Sequence, residues 1–322
     1  MIDIYTHRQG EGLTHTQNAD VLPGLLEDRD RTTWVDLEEP TPDETVLLES
    51  VFHFHPLAIE DCIHGRSLPK IDVFDSYLFL VVQGVLLDRK RHDFASTNLS
   101  VFLGPNYLVT YHHQPVLSVR STKGLLAKSD NVLSRGADFL LHTSLDFLVD
   151  NYQPLLDEMD EIIGSIEERI VTTDGKGVLK EILEFKRTLH RLRRVASYQK
   201  EILNRLSREE FALVAPGLRI YYRDVFDHLV RVTDLAESYK DMLASALEAY
   251  LAIVNNRMNE VMKLLTVFST ILLPLTLIAS IYGMNFRRLP LAEWSYGFEI
   301  TLGIMIAISV GMLVYFRRRR WI

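Results

Sequence analysis

The sequence predicts an α+β soluble domain, followed by long helices and two C-terminal transmembrane helices. Three observations predict this class. Leu264–Phe286 holds 23 residues without a charge, and a hydrocarbon core of roughly 30 Å takes about 20 helical residues to cross. Phe298–Phe316 is a second apolar run, whose only charge is Glu299. Upstream, short runs rich in β-branched and aromatic residues give way to long stretches with helical periodicity. The expected divisions are an α/β domain over 1–140 and long helices, including a stalk, over 141–263. A first span over 264–286, an outer loop over 287–297, a second span over 298–316 and a basic tail over 317–322 complete the chain.

Composition narrows the class. The chain has 322 residues, 47% of them hydrophobic, and a formal charge of −8. Most of it must therefore be soluble despite the apolar end. The single cysteine, Cys62, excludes an internal disulfide and suits a reducing compartment. The first residues, MIDIYTHRQGEG, lack the basic start and apolar run of a signal peptide.

In the first part, Thr32–Leu37 reads as a strand. Thr41 then caps a helix, with Pro42 in its first position and Glu44 completing a capping box. His55-Pro56-Leu57 opens a second short helix through Ile63. Tyr77–Leu87 is nearly continuously apolar and reads as a buried strand. Asn98–Leu103 and Tyr107–Tyr111 are joined by Gly104-Pro105-Asn106, a turn signal that predicts a hairpin.

From about Ala137 the periodicity is helical. Asp138–Val171 carries an acidic face that includes Asp157, Glu158, Asp160, Glu161, Glu167 and Glu168. A break at Thr173-Asp174-Gly175-Lys176-Gly177 follows. Val178–Leu206 returns with a basic face of Lys186, Arg187, His190, Arg191, Arg193 and Arg194. A solvated face opposite an acidic neighbour is expected there, rather than a nucleic-acid site. Exposed pairs of that kind contribute only ~0–1 kcal/mol each. After Ala215-Pro216-Gly217, residues Arg219 to Tyr282 hold no glycine and only Pro274, which predicts one helix of about 96 Å. Pro274 removes a backbone donor and frees the carbonyl of Thr270, so a mild kink is expected.

Positions Asn259, Met262, Thr266, Ser269, Leu273, Thr276, Ser280 and Gly283 recur at alternating spacings of three and four, along one helix face. Polar groups at lipid depth turn toward a bundle interior or water. The stripe has two readings: hydroxyls bonded back to their own helix, or a pore-lining face shared by several copies of the chain. Arg257 and Lys263 flank the first span and Arg317–Arg320 follow the second, which places both termini in the cytoplasm. Arg287 and Arg288, in the outer loop, run against that rule.

The first span ends in Tyr282-Gly283-Met284-Asn285. Together with the segments NNRMNEVMKLLT, ILLPLT, IYGMNF and RRRRWI, this end resembles the CorA-type magnesium transport family. WVDLEEP, HPLAIEDC and LPKIDVF resemble the family's N-terminal cytosolic half, so the likeness spans nearly the whole chain. It implies a funnel-shaped homopentamer in the cell (inner) membrane, a central pore lined by the first spans, and no enzymatic activity. Gly283, Met284 and Asn285 would form the selectivity filter. Mg2+ prefers six oxygens in octahedral geometry and gives up water reluctantly. Neutral amide and carbonyl oxygens would therefore hold the hydrated ion without trapping it. Asn259 and Thr276 would repeat such rings, and Met262, Leu265 and Leu273 would form apolar constrictions.

The resemblance also implies regulation by cytosolic Mg2+, which is then both substrate and regulatory ligand. Asp224 in RDVFDH matches a family aspartate, and Glu248 in LEAYL stands where many relatives have Asp. Asp88 and Asp93 are the candidate partner acids from the adjacent copy. No GxxxxGK[ST] is present, so no nucleotide is expected. The outer loop departs from the family's frequent MPEL: Leu289-Pro290-Leu291-Ala292 stands there, with the acid at Glu293. Zn2+ transport by the same architecture is the alternative within the class, and Co2+ and Ni2+ are further candidate cargoes. A membrane-anchored sensor or scaffold is the alternative outside it. The histidine doublets His53/His55 and His112/His113 lack zinc-site spacing.

Overall fold

The computed structural model describes all residues except 66, 89–92, 130, 173–176, 210, 285–289, 292–293, 320 and 322. The first compact unit is Met1–Ala246 and the second is Leu247–Ile322.

The first unit is built on a seven-stranded mixed sheet. Its strands are β1 (Ile2–Arg8), β2 (Gly12–Thr16), β3 (Arg31–Glu38), β4 (Lys70–Val73), β5 (Leu78–Asp88), β6 (Asp93–Leu103) and β7 (Tyr107–His112). They lie in the order β2-β1-β3-β7-β6-β5-β4. β3 and β7 pair in parallel, and every other neighbour is antiparallel. The hairpin expected across residues 104–106 is present, with Leu103 opposite Leu108. Gly104 is required in it: a Cβ there would lie 2.2 Å from the Tyr107 ring. β1, β2 and β4 escaped the sequence reading. All three lie toward the sheet edges, and β2 buries no residue, so no apolar alternation marks it.

Four short helices flank these strands: α1 (Leu22–Glu27), α2 (Pro42–Ser50), α3 (Pro56–His64) and α4 (Leu117–Leu126). The capping box of α2 forms as expected, with Thr41 Oγ1 accepting from Glu44 N and Glu44 accepting from Thr41 N. α2 and α3 cover an apolar core in which Phe54 stacks on Phe102, ring centroids 3.9 Å apart.

The long helices are α5 (Ala137–Asp150), α6 (Gln153–Thr172), α7 (Val178–Arg208) and α8 (Arg219–Tyr282). Periodicity predicted one helical run over Asp138–Val171, but the structure breaks it at Asn151–Tyr152. Pro154 explains the break, because its ring would clash with the carbonyl of Asp150 and it brings no N–H. Tyr152 fixes the corner. It is fully buried, its hydroxyl donates to Gln83 O at 3.4 Å, and it accepts from the Gln199 amide.

The basic face of α7 also departs from expectation. Arg191 pairs with Asp93 of β6, and Arg193 pairs with Glu237 of α8 at 2.9 Å. The ion pair between α6 and α7, Arg169 with Glu181, has the opposite signs from those expected.

The second unit contains the end of α8 and α9 (Gly297–Arg318). Both helices are long and apolar enough to span a membrane, and nearly all of that apolar surface is exposed in the single chain. At the end of α8, Tyr282 Oη donates to Pro290 O at 2.9 Å. A Cβ on Gly297 would lie 1.9 Å from Leu291 O, so only glycine fits where α9 begins.

Candidate functional site

The stripe lies on α8. At about 100° per residue, Asn259 through Gly283 fall within about 120° of arc. Met262, Leu265 and Leu273 are exposed in the isolated chain. Thr266 Oγ1 donates to Met262 O at 2.7 Å, and Thr276 Oγ1 donates to Leu272 O at 2.9 Å. Back-bonding therefore holds for both threonines, yet it does not remove them from a pore. A hydroxyl has one donor and two acceptor lone pairs. Once the hydrogen is committed to the helix, the oxygen offers only acceptor capacity, which is what a cation's water shell takes. Ser269 and Ser280 lie on the same face of α8.

At the C-terminal end of α8, Gly283 N donates to Ala279 O at 2.9 Å. A Cβ on Gly283 would meet that oxygen at 3.4 Å, an ordinary contact. Nothing among the described residues demands glycine at this position. Met284 follows Gly283. Asn285 lies outside the described residues, as do Arg287, Arg288 and Glu293 of the outer loop.

The candidate regulatory acids divide between the units. Asp224 lies on α8 in the first unit, and Glu248 on α8 in the second. Asp88 and Asp93 face each other across the β5–β6 pairing. Asp93 is engaged by Arg191 and accepts from Thr188 Oγ1 at 3.1 Å.

The structure adds a cluster that sequence reasoning missed. Asp146 and Asp150 of α5 meet His228 of α8, each offering one ligand atom within 4.8 Å of the others. Burial raises the Asp146 carboxyl, and the charges of Asp150 and Asp224 raise it further, while His228 opposes them. An acid pushed up by neighbouring acids is one that a dication would relieve. The donor set of carboxylates and an imidazole suits a divalent ion. The sequence held a signal: Asp146/Asp150 and Asp224/His228 are both four apart, so each pair shares a helix face.

The histidine doublets serve the fold. His55 Nδ1 accepts from Leu57 N at the start of α3. His113 Nε2 donates toward the carbonyls of Cys62 and Ile63. His112 is buried against Asp36 at 3.1 Å, and Lys123 bridges Asp36 and Asp3 at 2.7 Å each. Burial raises Asp36, but the bond and charge of His112, and then Lys123, outweigh it and hold the carboxyl below its usual range. The Lys123 ammonium already supplies a cation to Asp36.

Comparisons with known proteins bear on the fold and the family. Residues 29–318 match the family described as CorA-like Mg2+ transporter protein. The chain is 33% identical over 315 residues to the cobalt/magnesium transport protein CorA of Thermotoga maritima, covering 95% of this chain and 88% of that protein. It is also 33% identical over 288 residues to the putative metal ion transporter YfjQ of Bacillus subtilis, covering 89% of each. Its fold superposes on the complete structure of the CorA magnesium transporter from Methanocaldococcus jannaschii with a TM-score of 0.87 at 21% identity, over 99% of this chain and 98% of that one. A mixed-sheet domain, a 64-residue helix that ends in an apolar span and a second apolar helix thus carry a family match across most of the chain, and the chain belongs to the CorA-like Mg2+ transporter protein family.

Proposed function

We propose that this chain forms a homopentameric, gated channel that passes hydrated Mg2+ into the cytosol through the cell (inner) membrane, with Co2+ and Ni2+ as further cargoes. The observation that carries the reading is the uncharged stripe on α8, followed in the sequence by Gly283-Met284-Asn285 between two apolar spans. One or two helices cannot enclose water, but a ring of copies can. Asn285 supplies a ring of amide oxygens at the mouth. Asn259, Thr266, Ser269, Thr276 and Ser280 supply rings below it, and Met262, Leu265 and Leu273 constrict the path. Both termini lie in the cytoplasm, set by the basic flanks.

No nucleotide drives the flux. A double charge moving inward gains about 4.6 kcal/mol per 100 mV of inside-negative potential, at about 2.3 per unit charge. An open path would therefore overfill the cell, and the cytosolic acids close it when Mg2+ is plentiful. Asp146 and Asp150 take one ion through their carboxylate oxygens, with the charge of Asp224 and the imidazole of His228 beside them, and Glu248 meets Asp88 or Asp93 of the adjacent copy at another. Asp93 must release Arg191 to do so.

Purified protein in vesicles, loaded with an ion-sensitive dye and offered Mg2+, Co2+, Ni2+ or Zn2+ singly, tests the reading. Mg2+ uptake that Asn285→Ala reduces at least tenfold is expected. Zn2+ uptake without Mg2+ uptake would assign the chain to zinc. No flux of any ion would make it a sensor or scaffold.

A further inference from the structure

The exposed faces of α6 and α7 carry opposite charges in matching register. On α6 the acid doublets Asp160-Glu161 and Glu167-Glu168 stand seven residues apart. On α7 the basic doublets Lys186-Arg187 and Arg193-Arg194 also stand seven apart. Seven residues span about 10.5 Å of helix, two turns, so each doublet pair faces one side. All eight residues are exposed.

Among the described residues these charges do not neutralise one another. Among the described residues, no ion pair joins these four acids to α7. Of the four bases, Arg193 alone is paired among the described residues, with Glu237 of α8. Recesses of about 470 Å³ and 540 Å³ run along the basic side, bordered by His190, Arg194 and Arg187 among others. The bases all project from one helix and do not converge on a point, which suits a rod-like partner better than a small anion.

We propose that the acidic face of α6 in one copy docks on the basic face of α7 in the next, forming a subunit interface of the cytosolic part. A cyclic ring needs a heterologous contact, in which two different surfaces meet at every boundary. A chain with one acidic helix face and one basic helix face of equal spacing supplies both halves. Complementary charge of this kind sets register and suppresses wrong pairings more than it adds affinity. The inference rests on the homo-oligomer reading above.

The test uses the full-length protein in detergent. Cys62 is buried and burial pushes its thiol up to about 12, so introduced cysteines react alone. Copies carrying Glu168→Cys with one tag are co-produced with copies carrying Arg187→Cys or Arg194→Cys with another, and treated with a short bismaleimide. A doubly tagged dimer band with one of the two combinations is expected. Glu167→Lys with Glu168→Lys, placed beside a reactive pair at Glu161→Cys, should remove most of that crosslink. Reversing the facing basic doublet to glutamate should restore it. If native mass shows the oligomer intact and neither combination crosslinks, the interface is overturned while the oligomer stands. If the protein is monomeric by native mass, the oligomer reading and the interface both fail. Protection of the α7 bases from lysine- and arginine-directed labels by polyphosphate, with no crosslink, would assign the face to a free polyanion and also overturn the proposal.

Discussion

Replacing Asp146 by Asn should have opposite effects on the metal-free and metal-loaded protein. Asp146 and Asp150 offer oxygens within 4.8 Å of each other, and Asp224 adds a further negative field. Two like charges at that distance repel by about 1 kcal/mol in a water-like medium and about 3.5 kcal/mol at an effective dielectric of 20. Asp150 is exposed, so the lower figure applies. The neutral amide keeps the shape and removes the repulsion, and the metal-free protein should gain about 1 kcal/mol. The same change removes a ligand. A site that is filled to 100 times its dissociation constant stabilises the folded state by about 2.7 kcal/mol, and most of that gain should vanish. The assay is urea unfolding of the full-length protein in detergent, with and without Mg2+, read by limited proteolysis. A variant that is less stable without metal, or that keeps full Mg2+ protection, would refute the reasoning.

Other perturbations have distinct signatures. Gly297→Ala drives a methyl into Leu291 O, 1.9 Å from the ideal Cβ position; it should impair oligomer yield or flux, whereas Gly303→Ala, with open space around it, should leave both unchanged. Thr276→Val keeps the volume but loses the acceptor oxygen, and should slow Mg2+ flux several-fold, with Thr276→Ser restoring it. Lys123→Met leaves Asp36 buried without its ammonium, and should cost about 3–5 kcal/mol of stability by denaturant unfolding. His112 is shifted upward: burial lowers it, but the bond and charge of Asp36 win. Its stabilising contribution is therefore full below pH 6.5 and is lost as pH rises through the raised value. Asp3, held near 2 although burial opposes this, contributes above 3.8 and loses its effect as pH falls through about 2. Melting curves across pH should show both limbs, and Lys123→Met should flatten the acid one.

Much of this molecule is legible in the chain because its signals are local. The capping box at Thr41 and Glu44 involves neighbours in sequence. α8 is bounded by Pro216-Gly217 and by Gly283, with no glycine between Arg219 and Tyr282, so its extent follows from backbone chemistry alone. The uncharged spans are equally local. The site was only partly legible for the opposite reason. Asp146 and His228 are 82 positions apart by their numbering, and only the packing of α5 against α8 brings their ligand atoms together. Asp93 is a candidate metal partner by sequence, and only the fold sets Arg191 beside it.

The sequence by itself determined the two spans, the long helix, the hairpin and the polar stripe, because hydrophobic period, proline placement and turn chemistry act within a few residues. Tertiary structure alone decided which edge strands join the sheet, that Tyr152 locks a corner at Pro154, and which acids are paired. Those outcomes depend on burial and on charges brought close from distant parts of the chain, and no local pattern encodes that distance.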